Sequence, residues 1–237
     1  MRHEQIQGWI HALEVGSFSR WLKYLPVVVA MIGLAVLYDV RAYHGFTSPE
    51  AMDAAQVARN LAEGRGYTTD FIRPFSIYLV QKHNREAHAA EAHSTNALGF
   101  AQLDGTHPDL ANAPAYPTLL AGLMKLSSPD WAVDTDKPFW SANGKFQRYR
   151  PSFGIAILNQ FLLLATVVLT FFITRKLFDA AAAWLAAGLT LGVDLLWKFS
   201  VSGLSTLLLL VIFLGLVWCL IKIEELGRSE PPAGGRL

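Results

Sequence analysis

Two carboxylates three residues apart, Glu50 and Asp53, are the side chains of this sequence best placed for chemistry. A spacing of three puts both on one helix face, a single turn apart. Ser48-Pro49, just before them, is a helix start, with serine as cap and proline at the first helical position. Such a pair could take a proton from an acceptor hydroxyl or amine, or hold a divalent cation as cofactor. The same residues also satisfy the general preference for negative charge in a first helical turn, which requires no function.

Arginines form the second group: Arg59, Arg65, Arg73, Arg148 and Arg150. Their forked guanidinium groups suit phosphate oxygens. Acidic and basic residues nearly balance in this region, so solvated loop charge is the plainer reading. Arg148 and Arg150 border an apolar stretch and could equally meet lipid headgroups. His83, His88 and His93 recur every five residues. On a helix each step of five rotates by about 140°, so the imidazoles do not converge and no metal site is expected. Cys219, the one cysteine, can form neither an internal disulfide nor a cysteine metal cluster.

The elements holding these residues follow from pattern. A helix is expected over 49–63, stopped by Gly64, with Ala51, Ala54, Ala55, Ala58, Leu61 and Ala62 on one side. Glu50, Asp53, Gln56 and Asn60 form a polar stripe opposite. Residues 71–80 suggest a short extended piece or helix, and 85–93 a helix. Residues 115–126 suggest an apolar helix resting on a membrane surface or bundle.

Composition sets the surroundings. Of 237 residues, 52% are hydrophobic and 16% charged, against about 25% charged in soluble domains. This argues against an ordinary soluble chain and against a disordered one. A net charge of +1 gives no reason to expect nucleic acid as partner. No Asp, Glu, Lys or Arg occurs in 24–38, 151–174, 180–193 or 199–221. A membrane-spanning helix needs about 20 mostly apolar residues. The expected fold is therefore all-α and integral to the membrane, with four transmembrane helices at 21–42, 151–174, 178–197 and 199–222. A large, partly helical external loop, 43–150, separates helices one and two. Residues 1–20 are a cytoplasmic or interfacial segment, and 223–237 a disordered cytoplasmic tail. Gly188 and Gly192, among many alanines, suggest that the third span packs closely on protein.

Basic residues favour the side holding both termini: Arg2, Arg20, Lys23, Arg175, Lys176, Lys222, Arg228 and Arg236. The positive-inside rule makes that side cytoplasmic. The expected location is the inner (cytoplasmic) membrane, with the loop periplasmic or extracellular.

Three segments carry a family resemblance. Val57-Ala58-Arg59-Asn60-Leu61-Ala62-Glu63-Gly64, then Gly66-Tyr67, resembles the first external loop of GT-C glycosyltransferases, specifically the protein O-mannosyltransferase and aminoarabinose-transferase-like superfamily. His107-Pro108 through Ala113-Pro114-Ala115-Tyr116-Pro117-Thr118-Leu119-Leu120-Ala121 resembles its "P-Y-P-LLA" segment. Phe172-Ile173-Thr174-Arg175-Lys176-Leu177-Phe178 is similar to its cytoplasmic "AR-LFG" turn. The resemblance covers the N-terminal portion of such enzymes, which run on through further spans that complete the donor pocket.

The resemblance implies a membrane glycosyltransferase module that moves a sugar from a polyprenyl-phosphate donor on the outer face. Glu50 or Asp53 would be the general base. Arg59, Arg73, Arg148 and Arg150 would meet the leaving phosphate, where negative charge develops. Glu50 aligns with the acid that opens the family's loop helix, Ala51 stands where the family carries Glu, and Ser200–Ser205 lacks the Arg and Glu common before its fourth span. The other class implied is a non-catalytic transmembrane accessory subunit of the same fold. Its partners would be membrane lipid and other transmembrane chains.

Overall fold

The computed structural model describes residues 17–46, 48–71, 73–75, 77, 78, 82, 106–126 and 150–229, with backbone alone for 17–24, 150, 151 and 229. Among the described residues the chain is mostly helical, with one two-stranded antiparallel ladder. In order these are α1 (Ser17–Arg41), α2 (Pro49–Ala62), β1 (Thr68–Thr69), β2 (His107–Pro108), α3 (Ala115–Leu126), α4 (Arg150–Leu177), α5 (Ala180–Gly192), α6 (Asp194–Ser202) and α7 (Thr206–Ser229). They fall into two compact units. One comprises 1–44, 156–202 and 206–237; the other comprises 45–155 and 203–205.

Among the described residues two helical segments are long and apolar enough to cross a membrane: Ser152–Leu177 within α4, and Thr206–Arg228 within α7. The third apolar stretch is not the continuous helix that 178–197 implied. It is α5 and α6, bent by 55° at Val193, and counts as a further span if the pair is taken together. Glycine followed by an extended Val193 ends α5, and Asp194 opens α6. A break in an apolar setting strands carbonyls that water cannot reach. Here the Trp197 indole N–H donates to the Leu191 carbonyl at 2.7 Å. Trp197 is buried with Met31, Leu163 and Leu207, so α1, α4, α6 and α7 meet around it. Its ring stacks on Tyr38, 5.3 Å between centroids. The Tyr38 hydroxyl in turn donates to Asp194, which also pairs with Lys198.

The turn between α4 and α5 is tight. Asp179 caps α5 by accepting the Ala182 N–H at 2.7 Å. The small face of α5 that packs is Ala183 and Ala187, both buried. Gly188 is not part of it: a side chain built there meets open space among the described residues.

The second unit is organised by α2. Ser48 caps it, accepting the Ala51 N–H at 3.2 Å. A Schellman motif closes it: Gly64, at φ +81°, donates to the Leu61 carbonyl and Arg65 to that of Asn60. The expected alanine side is buried, with Ala51, Ala54, Ala55 and Ala58 set against Tyr116, Leu120, Ala121 and Met124 of α3. The expected polar stripe is a correction. Asp53 and Asn60 are 1% exposed, aligned with the fully buried Val57 between them. After Gly64 the chain doubles back over this second face of α2, so it too is covered. The Asn60 amide holds that return strand, donating to the Thr68 carbonyl at 2.9 Å. β1 then pairs with β2, Thr69 opposite His107.

Candidate functional site

Glu50 and Asp53 share a helix but not an environment. Glu50, in the first turn of α2, is exposed. The Ser48 hydroxyl donates to it at 2.6 Å. That hydroxyl, then the backbone N–H of Glu50 itself, then the positive charge of Arg73, hold its carboxyl below the usual glutamate range. Glu50 is thus an ionised carboxylate open to solvent.

Asp53 is saturated. Its Oδ1 accepts the Thr69 hydroxyl, and its Oδ2 takes both the Arg73 guanidinium and the Asn112 amide, the last at 2.9 Å. Thr69 Oγ1 also accepts the Phe71 N–H at 3.1 Å, which fixes the chain leading to Arg73. Asp53 therefore joins α2, the strand after it and the segment before α3. It is a structural joint, with both carboxylate oxygens accepting.

Asn112 is the second joint. Its Nδ2 donates to Asp53 and, at 2.8 Å, to Asp109 Oδ2. Both neighbours are carboxylates that only accept, so the amide nitrogen must face them. Asp109 also accepts the N–H groups of Ala111 at 3.0 Å and Asn112 at 3.2 Å, an Asx turn leading into α3. The Tyr67 hydroxyl closes the ring by donating to the Asn112 carbonyl at 2.9 Å. Burial, and secondarily Asp109, push that hydroxyl's pKa above the usual tyrosine range, keeping it a donor.

A recess of about 70 Å³ opens beside this network, lined by Glu50, Ala54, Asn112, Tyr116, Gly203 and Ser205 among others. Gly203 adopts φ +77°, and a Cβ there would lie 2.5 Å from the Phe46 ring, so the wall requires glycine. Ligand pockets for drug-sized molecules run to about 300–1,000 Å³. This recess is well below that range.

The arginines separate. Arg73 pairs with Asp53 through Nη2, while its Nε is buried without a hydrogen-bond partner among the described residues. Arg59 lies nine residues beyond Glu50, half a turn round α2 at about 100° per residue, and is not brought to the recess. Arg65 pairs with Glu63. Arg150 begins α4 with its side chain undescribed, and Arg148 lies outside the described residues, as do His83, His88 and His93. Among the described residues no group of three or more His, Cys, Asp or Glu could hold a metal ion. Thr69, Asn112 and Ser205 were not singled out by sequence; the Asp109-to-Asn112 turn before Pro114 is the signal that could have marked one of them.

No protein-family model, curated protein or solved structure matches this chain.

Proposed function

We propose that the chain is a membrane-embedded, GT-C-like glycosyltransferase module in which Glu50 is the outer-face general base and Asp53 a structural joint. In this reading α1, α4, the α5–α6 pair and α7 are four spans, with both termini cytoplasmic and residues 43–150 outside. The observation that carries it is the division of the acidic pair: Glu50 is ionised and open at a recess, whereas Asp53 is fully engaged.

Glu50 would accept the proton of an acceptor hydroxyl as its oxygen attacks the sugar's anomeric carbon. The bond to the prenyl phosphate breaks, and Arg148 and Arg150 would meet the charge left on it. With Arg73 held by Asp53, its contribution to the phosphate is indirect.

The test uses the full chain in its native membrane assembly, with a prenyl-phosphate sugar donor, following release of the lipid phosphate. Glu50→Gln should fold normally and lose roughly 10²–10⁴-fold in rate, as removal of a general base does. Wild-type turnover left unchanged by Glu50→Gln would sink the catalytic role.

A second reading, the accessory subunit, is favoured by α7. Only 6% of its apolar window is buried within the chain, leaving a long surface for other spans or lipid. Under that reading the chain co-purifies with other transmembrane chains, shows no donor turnover, and is indifferent to Glu50→Gln.

A further inference from the structure

The outward surface of the α5–α6 pair changes character at its bend. On α5 and at the bend itself Leu185, Leu189 and Val193 are exposed, and all are apolar. On α6 the exposed residues are Asp194, Leu195 and Lys198, two of them charged. Trp197, Ser200 and Val201 occupy the other face, one helical turn apart, and are buried. The helix therefore turns an apolar and hydroxyl-bearing face inward and a charged stripe outward.

That stripe does not suit hydrocarbon. Asp194 and Lys198 keep 59% and 63% of their side chains exposed. A lysine on a span escapes the bilayer by laying its stem along the helix and holding the ammonium in the interface. Here Lys198 is instead drawn onto Asp194, at 2.6 Å. Aspartate, with a single methylene, has no stem to extend. Charges held in this way belong where water or headgroups reach them.

Neighbours at the same level agree. Tyr38 donates its hydroxyl to Asp194 and stacks its ring on Trp197, only three residues before α1 ends at Arg41. Beside it, Asp39 accepts the Gln160 amide of α4 at 2.6 Å. Tyrosine and tryptophan favour the boundary between membrane and water. Three helices of the first unit thus bring an aromatic pair and polar groups together beside α6.

We propose that α6 lies in the headgroup layer of the leaflet at the C-terminal end of α1, with Asp194, Leu195 and Lys198 facing zwitterionic phospholipid. The carboxylate then meets headgroup cations, and the ammonium meets phosphate. This rests on the membrane reading of the α5–α6 pair and places its second helix at the bilayer surface.

The test uses the full chain with Cys219→Ser, which removes its one native cysteine. Leu195→Cys, Leu189→Cys and Phe161→Cys, each at an exposed position, carry a nitroxide in phosphatidylcholine vesicles. Collisions are compared for oxygen, which concentrates in hydrocarbon, and a neutral nickel chelate, which stays in water. The chelate dominates at 195, and oxygen dominates at 189 and 161. Oxygen dominating at 195 as it does at 189 would put α6 in hydrocarbon and overturn the proposal. Exclusion of both colliders at 195 would also overturn it, because protein rather than lipid would then cover α6. If the chelate dominates at 189 and 161 as well, the membrane reading fails and the proposal falls with it. No sugar donor is present, so the transfer reaction is tested separately.

Discussion

Replacing Asp53 by asparagine tests whether the buried carboxylate is a joint rather than a base. The change keeps shape but removes one acceptor and the charge. Three donors converge on Asp53: the Arg73 guanidinium, the Thr69 hydroxyl and the Asn112 amide. Asparagine offers one carbonyl oxygen and turns an NH₂ group toward donors. At least one buried donor is left unpaired. Breaking a fully buried ion pair costs about 3–5 kcal/mol. Arg73 keeps 34% of its side chain exposed and recovers part of its hydration, which lowers the expected loss to about 2–4 kcal/mol. For a chain of this size that is a fall of roughly 5–15 °C in Tm, read by thermal unfolding of the full chain in mild detergent. Limited proteolysis should show new cleavage within 64–73, the segment that Asp53 ties down. Unchanged melting together with an unchanged proteolytic pattern would refute the joint, and would return Asp53 to candidacy as the working carboxylate.

Two further substitutions probe the scaffold. Gly203→Ala combines a left-handed backbone with a Cβ driven into the buried Phe46 ring; it should cost about 2–4 kcal/mol, and a variant melting like wild type in the same detergent assay would contradict this. Trp197→Phe keeps an aromatic ring against Tyr38 but strips the Leu191 carbonyl of its donor. Stability should fall by about 1–3 kcal/mol, measured by loss of helical circular dichroism in denaturing detergent, and no loss would mean that another group caps the break.

What could be inferred from sequence depended on how far the cause lay from the effect. Ser48-Pro49 and Gly64 act within a few residues, and the α2 helix ends where they place it. The expected 115–126 helix is α3, residue for residue, because proline and apolar spacing are local signals. Four apolar stretches were read as four spans; two are single helices long and apolar enough to cross, and a third is bent. That bend was hidden because Gly192, Val193 and Asp194 resemble the frayed end of a span as much as its middle. The site was harder still. Spacing put Glu50 and Asp53 together, but their difference arises from Thr69, Arg73 and Asn112, which lie 16 to 59 residues from Asp53 or beyond any local pattern. A helical wheel assigns Asp53 and Asn60 to solvent because it cannot represent a chain that turns at Gly64 and covers them.

The bend at Val193 also bears on the membrane itself. Thirteen residues of α5 advance about 20 Å at 1.5 Å each, well short of a hydrocarbon core about 30 Å thick. Past that point come Asp194 and Lys198, tethered to Tyr38. Charge is costly in hydrocarbon, so a membrane that took α5 and α6 as one span would thin or admit water beside these two residues. In that arrangement the thickness of the host membrane would set how far Asp194 and Lys198 stand from water.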